Sequence, residues 1–355
     1  MKKYGLYNIL KPKERADDWA IILDESVEFG KHKLLVILGI RVSNIDFTRP
    51  LKLQDVTTLK MISKSKWSGE AVHFLLEDLK KEIGTIRYAV ADYGNILTKG
   101  LRLSGITHVY DITHKIASIL KSLYEKDIEF QKYNKALAKM RRSLCLSKNS
   151  HIVPPQQRVK ARFMNLEIIS DWGLSALEYL SVKQNSKNEE FIVLKWVKKF
   201  ENLILELSTI NNLISNIESK LKHNGLDENT LKDCNKMLER KDNDTNRIDE
   251  FKNSVEKYMN EIINKMPQEK KILCTSDIIE SSFGKYKNYL SKNAMTGITN
   301  LSLCIPAFTG SLNNEEILKA MQNIKVEDIQ EWTKINIGKS LITERREIFK
   351  KRKAG

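Results

Sequence analysis

"WAIILDESVEFGKHKLLVILGIRV", residues 19–42, holds two apolar runs rich in β-branched residues, separated by a polar stretch around Gly30. Runs of this length and composition read as strands, and a short connection containing glycine joins antiparallel neighbours. The stretch therefore predicts a β-hairpin with an apolar interior. Working outward, "VTTLKMI" (56–62) is a weaker third strand, and residues 69–83 space their apolar positions as an amphipathic helix does. "IRYAVADYG" (86–94) reads as a buried strand, "NILTKGLRLSG" (95–105) as a short helix, "THVYDIT" (107–113) as another strand and "HKIASILKSLYEKD" (114–127) as a helix.

Three antiparallel strands, then helix, strand, helix and strand, is the order of a ribonuclease H-like core, an α/β fold with a mixed sheet. From about residue 126 the pattern changes. Residues 126–265 are rich in Lys, Glu, Asn and Leu and carry almost no strand signal, which predicts a large all-α insertion. Residues 189–222 read as one long helix there, and 227–266 as another helix or a broken pair after Gly225. The division expected is residues 1–125 and 266–355 as the two parts of the core, with the insertion between them. The last part adds a helix over 277–291, an irregular apolar stretch over 296–310, further helices and a basic tail, "ERREIFKKRKAG".

The 355 residues carry 60 Lys and Arg against 45 Asp and Glu, a formal net charge of +15. A basic balance of this size gathers polyanions by counterion release, so nucleic acid is the expected partner. The four cysteines form no CxxC pair, so neither a zinc site nor a disulfide framework is suggested and a reducing compartment fits. No apolar run approaches the ~18 residues that would span a bilayer, and "MKKYGLYNIL" lacks an apolar signal core. No membrane association and a cytoplasmic location are expected.

Two acids end strands that ought to be buried: Asp24 in "IILDES" and Asp92 in "AVADYG". Buried carboxylates normally hold a partner or a cation, although Asp is also a common turn former at strand ends. A third, Glu280, lies in "TSDIIESSFGKYK" (275–287), where Asp277 is the expected helix cap and Glu280 its reciprocal partner three residues on. Asp111 is a weaker candidate, and Glu25 points to the opposite sheet face from Asp24. Two divalent ions about 3.5–4 Å apart need several hard oxygen ligands on rigid elements. Asp24 could bridge both, with Asp92 and Glu280 each completing one site.

On "DDWAIILDESVEFGKHKLLVILGIRV", "ADYGNILTKG", "VYDITHKIASILK", "PPQQRVKARFMNLEIISDWG" and "SDIIESSFGKYKN", the chain resembles DDE transposases of bacterial insertion-sequence type. The resemblance implies a catalytic triad of Asp24, Asp92 and Glu280 holding two Mg²⁺ (or Mn²⁺) ions, and divalent-metal-dependent DNA strand cleavage and strand transfer. It also implies double-stranded DNA, transposon ends and target, as substrate, a homodimer or larger assembly on that DNA, and association with the nucleoid. The long interval from Asp92 to Glu280 is similar to that of family members with a helical insertion. The family often has Ser-Asp-Gly-Gly where this chain has Ala91-Asp92-Tyr93-Gly94. His114, Arg158, Lys160, Arg162 and Lys285 are implied as phosphate contacts, and Trp172 as an aromatic that stacks on a flipped base. Each has a plainer reading beside it: a helix-start histidine, solvated basic residues, a core tryptophan. The alternatives to a transposase are a nuclease of the same fold that cuts without joining, and a degenerate, domesticated DNA-binding or scaffold protein without catalysis.

Overall fold

The computed structural model describes residues 1–27, 32–157, 162–183, 188–290, 297–310 and 312–351. In chain order, α1 (Lys2–Leu10) precedes β1 (Ala16–Val27), β2 (Lys33–Arg41), β3 (Thr57–Lys64), α2 (Gly69–Ile83), β4 (Gly84–Ala91), α3 (Asn95–Leu103) and β5 (Thr107–Tyr110). Seven helices follow: α4 (Ile112–Tyr124), α5 (Ile128–Leu144), α6 (Glu167–Val182), α7 (Glu189–Leu194), α8 (Glu201–Asn224), α9 (Glu228–Met237) and α10 (Asn246–Lys265). The chain ends with α11 (Asp277–Leu290), α12 (Cys304–Phe308), α13 (Asn314–Asn323), α14 (Val326–Asn336) and α15 (Leu341–Lys351). No helix among the described residues is long and apolar enough to cross a membrane.

The five strands form one mixed sheet in the order β3-β2-β1-β4-β5. β1, β2 and β3 run antiparallel, and β4 and β5 add parallel to β1. This is the ribonuclease H-like α/β arrangement expected from the order of elements, and the second half of the chain is helical. The turn around Gly30 lies outside the described residues. β2 is buried at every position but its ends, as a strand whose sheet is covered on both faces is.

Period-two alternation sorts the sheet into two faces. Trp19, Ile21, Leu23, Leu35, Ile37, Ala89 and Ala91 pack with Val72, Leu76 and Leu79 of α2 and Leu97 and Leu101 of α3. The alternate residues Ala20, Ile22, Tyr88 and Val90 are fully buried on the other face. There α11 packs against β1, and the Tyr88 hydroxyl accepts the backbone N–H of Leu273 at 3.2 Å.

Two compact units result, each with its own interior. One comprises Met1–Asp111, Lys222–Asn224 and Leu273–Gly355; the other comprises Ile112–Leu221 and Gly225–Ile272. Within the helical unit, the single helix expected over 189–222 is interrupted: α7 stops at Leu194, a 3₁₀ segment runs Lys195–Phe200, and α8 begins at Glu201. Trp196 and Phe200, both in the 3₁₀ segment, lie against Tyr133 with ring centroids 6.2 and 5.3 Å away. Over 227–266 the chain forms a broken pair, α9 and α10.

Helix α1 has no counterpart in the sequence reading. Gly5 lies so close to the Leu303 carbonyl that a Cβ would meet its oxygen at 1.9 Å, so close backbone approach helps to seat this helix, beside the buried Leu6 and the packing of Tyr4 and Tyr7 with Ala307, Ile317 and Ala320.

At the start of β1, Asp18 accepts from Arg41 Nε and from the Ser43 N–H at 3.0 Å. Burial pushes this carboxyl up, but the Arg41 and Ser43 hydrogen bonds prevail and hold it below the usual carboxylate range. A depressed folded-state value gives stability that is complete above the ordinary Asp range near pH ~4 and is lost as pH falls through the folded value. Urea unfolding of Asp18→Asn should therefore differ from wild type at pH 7, with the difference shrinking as the pH is lowered below about 4. A constant difference down to pH 2 would contradict the assignment.

Candidate active site

Asp24 and Asp92 follow the ends of the paired stretch of two adjacent strands. The last pair between the parallel strands β1 and β4 is Ile22↔Val90, and each acid follows two residues on. Alternation gives both side chains the face of Ile22 and Val90, opposite the α2–α3 layer. Both are half-buried. Asp24 Oδ1 accepts the N–H of Glu25 at 2.7 Å, and Asp92 Oδ1 accepts the N–H of Gly94 at 3.1 Å. A Cβ at Gly94 would come 3.0 Å from that Asp92 oxygen, so glycine suits the tight turn here. Glu25 lies on the other face, paired with Lys33 at 2.7 Å.

Glu280 stands in the first turn of α11 and is exposed, while Ile279, Ser282, Phe283 and Tyr286 of the same helix are buried. The capping scheme differs from the expected one. The helix begins at Asp277, so Asp277 belongs to the first turn and is not the cap; its carboxylate pairs with Lys222 at 2.8 Å. The residue before the helix is Ser276, whose N–H and hydroxyl both donate to Asp111 Oδ2, at 2.6 and 3.0 Å. Asp111 is almost wholly buried at the end of β5. This acid, weighed above only as a weak candidate ligand, fixes where α11 starts and hence where Glu280 is carried. Nothing local to either stretch signals the link, which joins positions 165 residues apart.

The other expected site residues lie as follows. Lys285 is exposed, with its ammonium 5.8 Å from the centre of the Phe308 ring. It borders a largely apolar cleft of about 680 Å³ whose lining includes Tyr4, Leu53, Ile278 and Ile317. His114 is half-buried near the start of α4. Trp172, on α6, is half-buried and stacks on Trp196 at 6.3 Å. Arg158 and Lys160 lie outside the described residues. Arg162 opens a short 3₁₀ turn, Arg162–Met164, and its side chain is likewise outside the description.

Among the described residues, no group of three or more His, Cys, Asp and Glu side chains is gathered closely enough to hold a metal ion. What the strand register supplies is a pair of carboxylates, hard oxygen donors of the kind Mg²⁺ and Mn²⁺ take. The donor chemistry of that pair fits such an ion; Glu280 is not gathered with it into a group of three.

No family model matches the chain, and no curated protein matches it. Among solved structures it is similar to the "Drosophila P element transposase strand transfer complex", with 10% identity, 90% of this chain and 81% of that chain covered, and a TM-score of 0.42.

Proposed function

We propose that the protein is a DDE-type DNA transposase that performs divalent-metal-dependent strand cleavage and strand transfer. The observation that carries this reading is the last pairing of the parallel strands β1 and β4, Ile22↔Val90, after which Asp24 and Asp92 each follow at the second residue. In this reading Asp24 would serve both ions, and Asp92 and Glu280, the latter carried on α11, would each complete one site. Bound ions would supply charge to stabilise the leaving oxygen and a lowered pKa for the attacking one. The Gly94 N–H keeps Asp92 oriented, and Asp111 holds the start of α11 in place. The reaction forms a P–O bond from water and breaks the P–O3′ bond, freeing a 3′-hydroxyl; that oxygen then attacks a target phosphorus, forming a new P–O bond as the target's own P–O3′ bond breaks and leaves a 3′-hydroxyl on the target strand. The helical unit serves as the insertion between the second and third acids, with Trp172, His114, Arg158, Lys160, Arg162 and Lys285 as DNA contacts. The net charge of +15 supports a DNA partner. The bacterial insertion-sequence type, and assembly as a homodimer or larger, rest on the sequence resemblance alone.

The test uses the full chain, end-labelled duplexes taken from the sequences flanking its coding region, and a plasmid target, with Mg²⁺, Mn²⁺ or EDTA. The expected product is a labelled strand joined to the plasmid, formed only with metal. Metal-dependent cutting without joining would favour the nuclease reading. DNA bound but uncut under all three conditions would favour the scaffold.

A further inference from the structure

Ile278, Ser281 and Lys285 follow one another at helical spacing on α11 and form one wall of the apolar cleft of about 680 Å³. Tyr4 of α1, Leu53 of the segment before β3 and Ile317 of α13 line it from other sides, all within one compact unit. The apolar surface continues past the rim into water. Leu312 and Met321, both of the lining, are 67% and 42% exposed, and Leu318, three residues before Met321 on α13, is 61% exposed. Contiguous apolar surface of this kind marks an interaction site. The charges beside it are one-sided. Lys52 and Lys285 line the cleft, and among the described residues neither ammonium meets a carboxylate. The Lys3 ammonium rests on the Met321 carbonyl at 3.4 Å. Asp277, the acid of the lining, is committed to Lys222 at 2.8 Å.

We propose that this cleft is a docking groove for a helical protein segment, apolar along one face and acidic beside it, supplied by a partner other than this chain. Apolar side chains at i, i+3, i+4 and i+7 fill a groove of this kind. Carboxylates flanking them meet Lys52, Lys285 and Lys3, which fixes orientation and speeds encounter. A second copy suits the groove less, since at +15 it brings like charge to a basic rim. A small molecule inside the cleft would leave Leu318 in water. Lys285 would serve either the segment or DNA, not both at once. The docking itself needs neither DNA nor metal, so it goes beyond the strand-transfer reading and stands or falls apart from it.

The test is fluorescence anisotropy of labelled synthetic peptides with the full chain, without DNA or metal. The probe is a helix of about four turns with Leu at the groove-facing spacing and Glu between. The controls are the same composition scrambled, and the same pattern with Lys in place of Glu. Wild type should bind the probe on the order of tenfold tighter than either control. Leu312→Ser combined with Met321→Ser should abolish that preference. Lys52→Glu, an exposed position outside the apolar lining, should weaken the probe several-fold. Phe74→Ser, equally exposed on α2, should change nothing. A probe bound no tighter than its scrambled form would overturn the groove. So would a double variant that keeps the preference, or Lys52→Glu with affinity unchanged. A wild type that sediments as a dimer, and a double variant that sediments as a monomer, would make the occupant a second copy and sink the acidic partner.

Discussion

Asp92→Asn, Asp24→Asn and Glu280→Gln should each lower metal-dependent strand cleavage by at least about a hundredfold, some 2.7 kcal/mol of barrier, with the fold retained. Asn at position 92 keeps the side-chain oxygen that accepts the Gly94 N–H, so the turn survives. What disappears is negative charge, and hard divalent cations depend on charged oxygen ligands. Glu280 is exposed, so its replacement by Gln should shift urea unfolding by well under ~1 kcal/mol. Asp277→Ala is the contrast: it removes the partner of Lys222 and should leave most of the cleavage. A gel assay of nicking in Mn²⁺, run beside the unfolding curves, separates these outcomes. A Glu280→Gln protein that nicks DNA near the wild-type rate would remove Glu280 from the triad.

The second large effect concerns stability of the helical unit. Glu206 of α8 is buried and accepts from the Tyr124 hydroxyl at 2.7 Å, from Arg247 Nε at 2.8 Å and from the Thr245 hydroxyl. Arg247 also donates to Asp127 at 2.6 Å and lies over the Tyr124 ring, 5.2 Å from its centre. Asp127 caps α5 and Thr245 caps α10, so one guanidinium joins the starts of two helices to the second turn of a third, α8. Burial, together with the Glu206 charge, pushes the Tyr124 hydroxyl far above its ordinary range, so it remains a donor at any working pH. Arg247→Ala should cost about 3 kcal/mol, because it leaves a buried carboxylate without its counter-charge. Glu206→Gln should cost less, since an amide still accepts from Tyr124 and no buried charge is left behind. The check is chemical denaturation at pH 7; equal losses for the two variants would show that the charge pairing is not what matters.

Much of the sheet was legible because its strands announce themselves. The β-branched runs 19–27 and 33–42 pair as expected, and the weaker run near 57–64 forms the third strand despite Lys60, whose polar end leaves the sheet to meet Glu82. Helix α1 was not legible, because its apolar residues do not gather into one stripe and part of its seat is a backbone contact at Gly5. The break at 195–200 was hidden for a related reason: Trp196 and Phe200 fit a helical pattern, and their packing on Tyr133 is non-local. Of the candidate site, parity along β1 and β4 was readable, since alternation follows from the chain itself. The start of α11 was not. Ser276 and Asp277 are both good capping residues, and the choice between them goes with Asp111, on the far side of the insertion.

That bond between Asp111 and Ser276 sets a condition on how the molecule is made. It closes a loop of 165 residues, so Glu280 cannot take its place until the ribosome has delivered the whole helical segment. The entropy of closing such a loop grows only with the logarithm of its length, and doubling it would cost about 0.6 kcal/mol. Shortening or lengthening the helical segment should therefore change the folding rate and the domain's own interior far more than the position of Glu280. Chains cut short before residue 276 would carry Asp24 and Asp92 without the helix that bears Glu280.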